Sequence, residues 1–315
     1  MAKIKQGEAG TRGTRRIARR QVKSALKKLD RKAASDREVH SARKELKKAR
    51  ATLRLLRDAL GRSTYKKENA ALRDAARPLS EVRDGRVLLD ALHSLVQYHG
   101  APVASLQLTN FKRALSRRRT ELRHKILESR DPLRATRKAL RHIRSRSEKW
   151  HVGRRGWSVL GAGLKRTYVS GRSAFTLAMA TPTDEYLHEW RKQTKYLWYQ
   201  LQVFEPLGPG PVADMTEEAH QLADCLGDDH DLAVLHERAA QAREMFPNAA
   251  AHHALLHLIQ RCRAGLQGKA RQLGQRTPNN CPIRLDSRSR QATDTRRSSS
   301  AFQRGKPTRQ RSRSS

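Results

Sequence analysis

The sequence predicts an all-α protein made of two internally duplicated antiparallel four-helix bundles. Three observations lead there. Apolar residues fall at helical spacing through most of the chain before Gly274. Aromatic residues make up only 5% of it, too few for a large β-structure. And one helical pattern occurs twice. His40-x-x-Arg43-Lys44-x-x-Lys47-x-x-Arg50 returns 148 residues later as His188-x-x-Arg191-Lys192-x-x-Lys195-x-x-Trp198. A second pair of segments, Leu79 to Asp84 and Leu226 to Asp231, follows at nearly the same offset, and each leads into an apolar Val-Leu, Val87-Leu88 and Val234-Leu235. Ordered matches at a shared spacing mark an internal duplication.

In chain order, helices are expected over 14–30, 36–60, 66–98, 104–128, 132–148, 158–180, 184–205, 212–245 and 250–273. Ser35 or Asp36 caps the first motif helix, and Thr183 or Asp184 caps the second. Breaks are expected at Gly61, at Gly100-Ala101-Pro102, at Asp131-Pro132, at Thr181-Pro182, and from Pro206 to Pro211. Residues 149–163, with four glycines and two tryptophans, read as the junction. The organisation is then a basic extension over 1–12, copy one over 13–148, a junction over 149–162, copy two over 163–273, and a tail over 274–315. Each copy is a bundle of about four helices. The tail holds Arg, Ser, Thr, Gln and Pro without periodicity and reads as disordered.

Charge narrows the function. Across 315 residues, 67 Lys and Arg face 30 Asp and Glu, a net charge of +37. Residues 276–315 hold 11 of those cations and two Asp, so +28 remains in the part that folds. Such charge strains a compact state by self-repulsion unless an anion screens it. Cys225, Cys262 and Cys281 show neither metal-ligand spacing nor a disulfide framework, which suits a reducing compartment. No apolar run is long enough to span a bilayer, and Met1 to Arg20 lacks the apolar core of a secretory signal, so no membrane is expected and the cytoplasm is the expected location.

The repeated helix carries the chemistry. At about 100° per residue, His40, Arg43, Lys47, Arg50, Arg54 and Arg57 share roughly one quarter-turn. Val39, Ala42, Leu46, Ala49, Leu53 and Leu56 occupy the adjoining arc. The second copy repeats this with His188, Arg191 and Lys195 beside Leu187, Trp190, Thr194, Leu197, Leu201 and Phe204. Arg134, Arg137, Arg141 and Arg144 line up in the same way beside Leu133, Leu140 and Ile143. The cations therefore border the apolar face, where a groove between helices lies. Ordinary surface stripes pair Lys and Arg with acids at i,i+4. These arcs are almost free of acids; Glu38 and Glu45 fall outside the first. The preceding helices add Arg16, Arg19 and Arg20 after Gly13-Thr14, and Lys165, Arg166 and Arg172 after Gly163-Leu164.

The doubled His-x-x-Arg-Lys-x-x-Lys pattern, with Leu226-Gly227-x-x-x-Asp231 after the second copy and Tyr168-x-x-x-Arg172 ahead of it, resembles the CHAD family, the conserved histidine α-helical domain. The resemblance covers roughly residues 13–273. It implies two four-helix bundles in pseudo-twofold symmetry around a basic central groove that binds inorganic polyphosphate, and association with polyphosphate granules. Such domains often accompany a CYTH triphosphatase domain, whose Glu-x-Glu-x-Lys strand signature does not occur here. Two positions depart from the repeated pattern: Trp198 stands where the first copy has Arg50, and Ser80 stands opposite Gly227. The expected ligand contacts are Arg16, Arg19, Arg20, His40, Arg43, Lys44, Lys47, Arg50, Arg54, Arg137, Arg141, Lys165, Arg166, Arg172, His188, Arg191, Lys192 and Lys195. The chemistry fits. Polyphosphate is a flexible charged chain with no base to read; Arg offers planar bidentate contacts and Lys a point charge. No cofactor is expected.

Competing readings carry less. His230-Asp231 within Asp228 to Asp231 invites a metal, but such a site needs further His and Asp ligands, and His220 is the only one nearby. Acids gathered at a helix N-terminus account for the cluster more simply. No nucleophile or carboxylate recurs beside both His40 and His188, so no catalysis is expected, whether in polyphosphate turnover or elsewhere. Trp190, Tyr196, Trp198 and Tyr199 read as core and interface. Nonspecific nucleic-acid binding is the alternative function, favoured by the charge and the Arg/Ser tail.

Overall fold

The computed structural model describes residues 3–5, 8–30, 34–99, 106–125, 130–152, 156–207 and 210–276, and every regular element among them is helical. Ten α-helices follow in order. They are α1 (Gly10–Leu29), α2 (Asp36–Leu55), α3 (Arg57–Leu60), α4 (Arg62–His99) and α5 (Thr109–Arg123), then α6 (Arg130–Glu148), α7 (Trp157–Ala180), α8 (Asp184–Phe204), α9 (Pro211–Ala240) and α10 (Ala249–Arg276). The predicted Gly100–Pro102 break and the tail from 277 onward lie outside the described residues.

Local chemistry sets the starts of the two motif helices. Ser35 Oγ accepts from the Glu38 backbone N–H while the Glu38 carboxylate accepts from Ser35 N–H, a reciprocal capping box at α2. Thr183 Oγ1 accepts from Tyr186 N–H at 3.3 Å and caps α8. Gly61, at φ 79°, ends α3 in a conformation that L side chains rarely adopt. The expected helix over 36–60 is interrupted at Leu56, where the chain turns between α2 and α3. α7 crosses the chain at this point: a Cβ at Gly163 would stand 2.8 Å from the Leu55 Cα. The junction glycine is thus inside a helix and lets α7 press against the end of α2. The helix expected over 212–245 stops at Ala240 and gives way to a short 3-10 turn, Arg243–Met245.

The first bundle is a closed square. α1 packs on α2, α2 on α4, α4 on α6, and α6 back on α1. In the second, α7 packs on α8, α8 on α9 and α9 on α10. The end of α10 meets α7 and α8: Arg172 on α7 donates to the Gly274 carbonyl at 2.7 Å, and a Cβ at Gly274 would stand 2.7 Å from the Phe175 ring and 2.8 Å from that of Trp190. The two bundles share one core: Leu53 and Leu55 of α2, Leu160 and Leu164 of α7, and Leu197 and Leu201 of α8 belong to a single apolar cluster. A second cluster joins the far half of α4 and α5 to α9 and α10. α2 meets α8 directly, and α4 meets α9. Every residue of the two predicted apolar arcs is buried, as are Leu133, Leu140 and Ile143.

Ion pairs fasten the periphery. Glu68 on α4 is buried and takes both Nε and an Nη of Arg146 from α6, at 2.8 and 3.0 Å. Arg119 and Arg123 from α5 converge on Asp36 at the start of α2. No described helix is long and apolar enough to cross a membrane.

Candidate functional site

The cations of the two motif helices meet where α2 faces α8. Burial lowers the His188 pKa on α8, and Arg191 and Lys192 of the same helix lower it further; Glu189 opposes them, and Lys47 of α2 adds the smallest contribution from the facing helix. Arg43 and Arg191, from opposite helices, both act on the Tyr199 hydroxyl; burial nonetheless pushes it up to about 12. Arg54 lies 4.1 Å over the Tyr196 ring. Gln200 of α8 donates to the Ala51 carbonyl of α2 at 3.0 Å inside this contact. Residues some 148 positions apart thus form one basic face.

α4 and α9 complete the walls. Arg43 Nε donates to Ser80 Oγ on α4 at 3.0 Å. At the matching place on α9, a Cβ on Gly227 would stand 3.9 Å from Arg191 Nε and 4.0 Å from Lys195 Nζ. The missing side chain keeps room beside two cations. His230 packs against His188 with ring centroids 4.7 Å apart. Arg191 is only 8% exposed, an unusual burial for a guanidinium.

α9 also brings acids that the motif helices lack. Asp224 lies 3.9 Å from Lys195, and Asp228 sits within reach of Arg191 and Lys195. Burial, then Asp231 and Asp224, raises the Asp228 pKa. The spacing 224, 228, 231 places these carboxylates on one helix face, a signal readable in the sequence that the acid-poor arcs obscured. The Asp228–Asp231 cluster is not at a helix N-terminus, as expected, but in the middle of α9. Its Asp229 is buried and bound by Arg263 and Gln267 from α10. Among the described residues no group of three or more His, Cys, Asp or Glu is arranged to hold a metal. His220 instead pairs with Asp224 at 3.2 Å and stacks on Trp198.

The remaining predicted contacts scatter. His40 lines a cavity of about 1200 Å³ between α2, α4, α9 and α10, where Arg86, Arg261 and Lys269 mix with Asp90, Asp228 and Asp231. Lys44 is exposed on the next turn, and Lys192 pairs with Glu189 on its own helix. Arg50 donates to Asn69 at 3.2 Å. Arg137 donates to the Leu29 carbonyl and Arg141 pairs with Asp30, both tying α6 to the end of α1. Arg166 pairs with Asp58 at 2.7 Å, Arg172 holds Gly274, and Lys165 is exposed on α7. Arg16, Arg19 and Arg20 face a different groove, between α1 and α6. Trp190, Tyr196, Trp198 and Tyr199 are all buried, as core residues are.

The model of the CHAD domain matches residues 16–240, and the chain belongs to that family. The match stops at the end of α9, so α10 lies beyond it. The structure is similar to that of PptA from Streptomyces chartreusis, with a TM-score of 0.62 at 17% identity, covering 86% of this chain and 100% of that one. At that identity the likeness speaks for the fold. No curated protein matches the chain in sequence.

Proposed function

We propose that this protein binds inorganic polyphosphate, without catalysing a reaction on it, at the basic face where α2 meets α8. One observation carries the reading: Arg43 and Lys47 from one copy of the motif stand with His188, Arg191 and Lys195 from the other around a single contact. The parallel neighbour orders, α1 with α2 with α4 and α7 with α8 with α9, support the duplication that produced both helices. Membership of the CHAD family supports the ligand class.

The physics is that of a polyelectrolyte receptor. Cations held close together repel one another, and the α9 carboxylates partly offset that repulsion. A phosphate chain entering the face replaces those internal counter-charges with stronger ones, and the counterions it sheds add a favourable entropy. Arg43 and Arg191 offer planar donors to phosphate oxygens, and Lys47 and Lys195 add point charges. The aromatic residues here are buried, so the face lacks the exposed rings on which bases stack. We place the protein in the cytoplasm, at polyphosphate granules.

Net charge and the Arg/Ser tail favour nonspecific nucleic-acid binding as the second reading. Competition separates the two. Polyphosphate displaces RNA from the full-length protein at a much lower phosphate-equivalent concentration than the reverse. Equal displacement in both directions assigns the protein to nucleic acid.

A further inference from the structure

The groove between α1 and α6 carries charge that the α2–α8 face does not account for. Arg16, Arg19, Arg20, Lys23 and Lys27 project from one stripe of α1, and Arg144 reaches in from α6. They enclose about 670 Å³ with Ser24 and a single carboxylate, Glu148. From Arg16 to Lys27 the stripe runs about 16 Å along the helix. The side chains of Arg20, Lys23, Lys27 and Arg144 have no hydrogen-bond or ion-pair partner among the described residues. Those at the rim are held. Arg16 is clasped by Glu8, and Arg19 lies 3.4 Å from Glu148.

The walls are fixed at both ends. Arg15 donates to the Trp150 carbonyl at 2.7 Å, just past α6. At the other end Arg137 donates to the Leu29 carbonyl and Arg141 to Asp30. A rigid groove with unneutralised cations along its length is preorganised for an extended anion, because little order is lost on binding. Its place in the fold is separate from the α2–α8 face. In the square bundle the α2–α4 edge carries Arg43 and Ser80, and the α1–α6 edge is the side opposite.

We infer that the α1–α6 groove is a second polyphosphate site, so that one molecule holds two phosphate-chain segments on opposite edges of its first bundle and cross-links long chains. This rests on the reading of the protein as a polyphosphate binder. The ligand class follows from the lining, which is Arg, Lys, Ser and Glu with no aromatic ring to stack a base. The site is the weaker of the two, because its cations are more exposed to screening salt.

Calorimetry on the full-length protein with a polyphosphate too short to span both edges tests this. Arg20, Lys23 and Lys27 are exposed, so R20Q/K23Q/K27Q leaves folding unchanged. Wild type binds two short chains with unequal affinity, the triple variant binds one, and the variant stops long chains from scattering light with the protein. A wild type that binds one chain, with the same affinity as the triple variant, overturns the second site and leaves the α2–α8 reading standing. A triple variant that loses RNA binding alone also overturns it. If wild type binds no polyphosphate, both readings fall.

Discussion

Gln200 on α8 donates its amide to the Ala51 carbonyl on α2 across 3.0 Å, and both residues are fully buried. This bond ties the two motif helices together inside the contact where their cations meet. Gln200 Oε1 has no partner among the described residues. The two effects oppose each other, which separates two substitutions. Gln200→Leu loses one hydrogen bond of about 1 kcal/mol but also removes an unsatisfied oxygen of similar cost, so it is nearly neutral. Gln200→Ala leaves a cavity as well and lowers stability by about 2–3 kcal/mol. Denaturant unfolding of both variants checks the order; equal losses would show that the bond, not the packing, dominates.

Gly163 makes a second, steric prediction. Gly163→Ala puts a Cβ 2.8 Å from the Leu55 Cα and 2.9 Å from its carbonyl oxygen. Backbone cannot give way as a side-chain tip does, so this overpacking costs about 1–3 kcal/mol even though Ala favours helix. A thermal midpoint at or above wild type would contradict the close approach of α7 to α2.

Gly163 also shows where the sequence stopped being legible. Helical periodicity, the capping residues Ser35 and Thr183, and the turn at Gly61 are local signals, and each is where it was expected. The break at Leu56 is not local. Leu56 continues the apolar arc, and the feature that meets the chain there, the close approach of Gly163 to Leu55, comes from another helix. The cationic residues divide in the same way. Arg43, Lys47, His188, Arg191 and Lys195 come together as the repeated pattern suggested. Arg137, Arg141, Arg166 and Arg172 each bind a partner more than one hundred residues away, which no spacing rule reveals. The α9 acids Asp224, Asp228 and Asp231 stand at helical spacing in the sequence, so their common face is a local signal too.

Binding takes up protons and tightens as pH falls. His188 has its pKa lowered first by burial and then by Arg191, Lys192 and Lys47, with Glu189 opposing and the His230 ring alongside. The free folded protein therefore binds fewer protons there than the unfolded chain, and this group costs stability as pH drops below about 6.5. A bound polyanion reverses the local field and raises the His188 pKa. Asp228, whose pKa is already raised, protonates more readily still and stops repelling the ligand. Both changes have one sign. Calorimetry near pH 6 in buffers of different ionisation enthalpy shows net proton uptake; none, or release, would contradict the placement of His188 at the site.

Gly227 and Ser80 predict an asymmetry. Ser80 gives Arg43 an internal acceptor, and Gly227 has no side chain to do so for Arg191. Gly227→Ser places a hydroxyl beside Arg191 and Lys195, where it competes with phosphate. Polyphosphate affinity falls several-fold, while helix stability rises by a few tenths of a kcal/mol, since Ser is the better helix former. Titration and thermal melts of one variant read both signs; tighter binding would overturn the role given to this position.

The most direct test of one shared site is the polyphosphate affinity of two paired variants, Arg43→Ala with Lys47→Ala and Arg191→Ala with Lys195→Ala. If α2 and α8 grip the same chain, each pair weakens binding at the stronger site by tenfold or more, about 1.4 kcal/mol, with the helical signal unchanged. If either pair leaves that affinity as it was, the two motif helices do not share a ligand and the α2–α8 face is not the site.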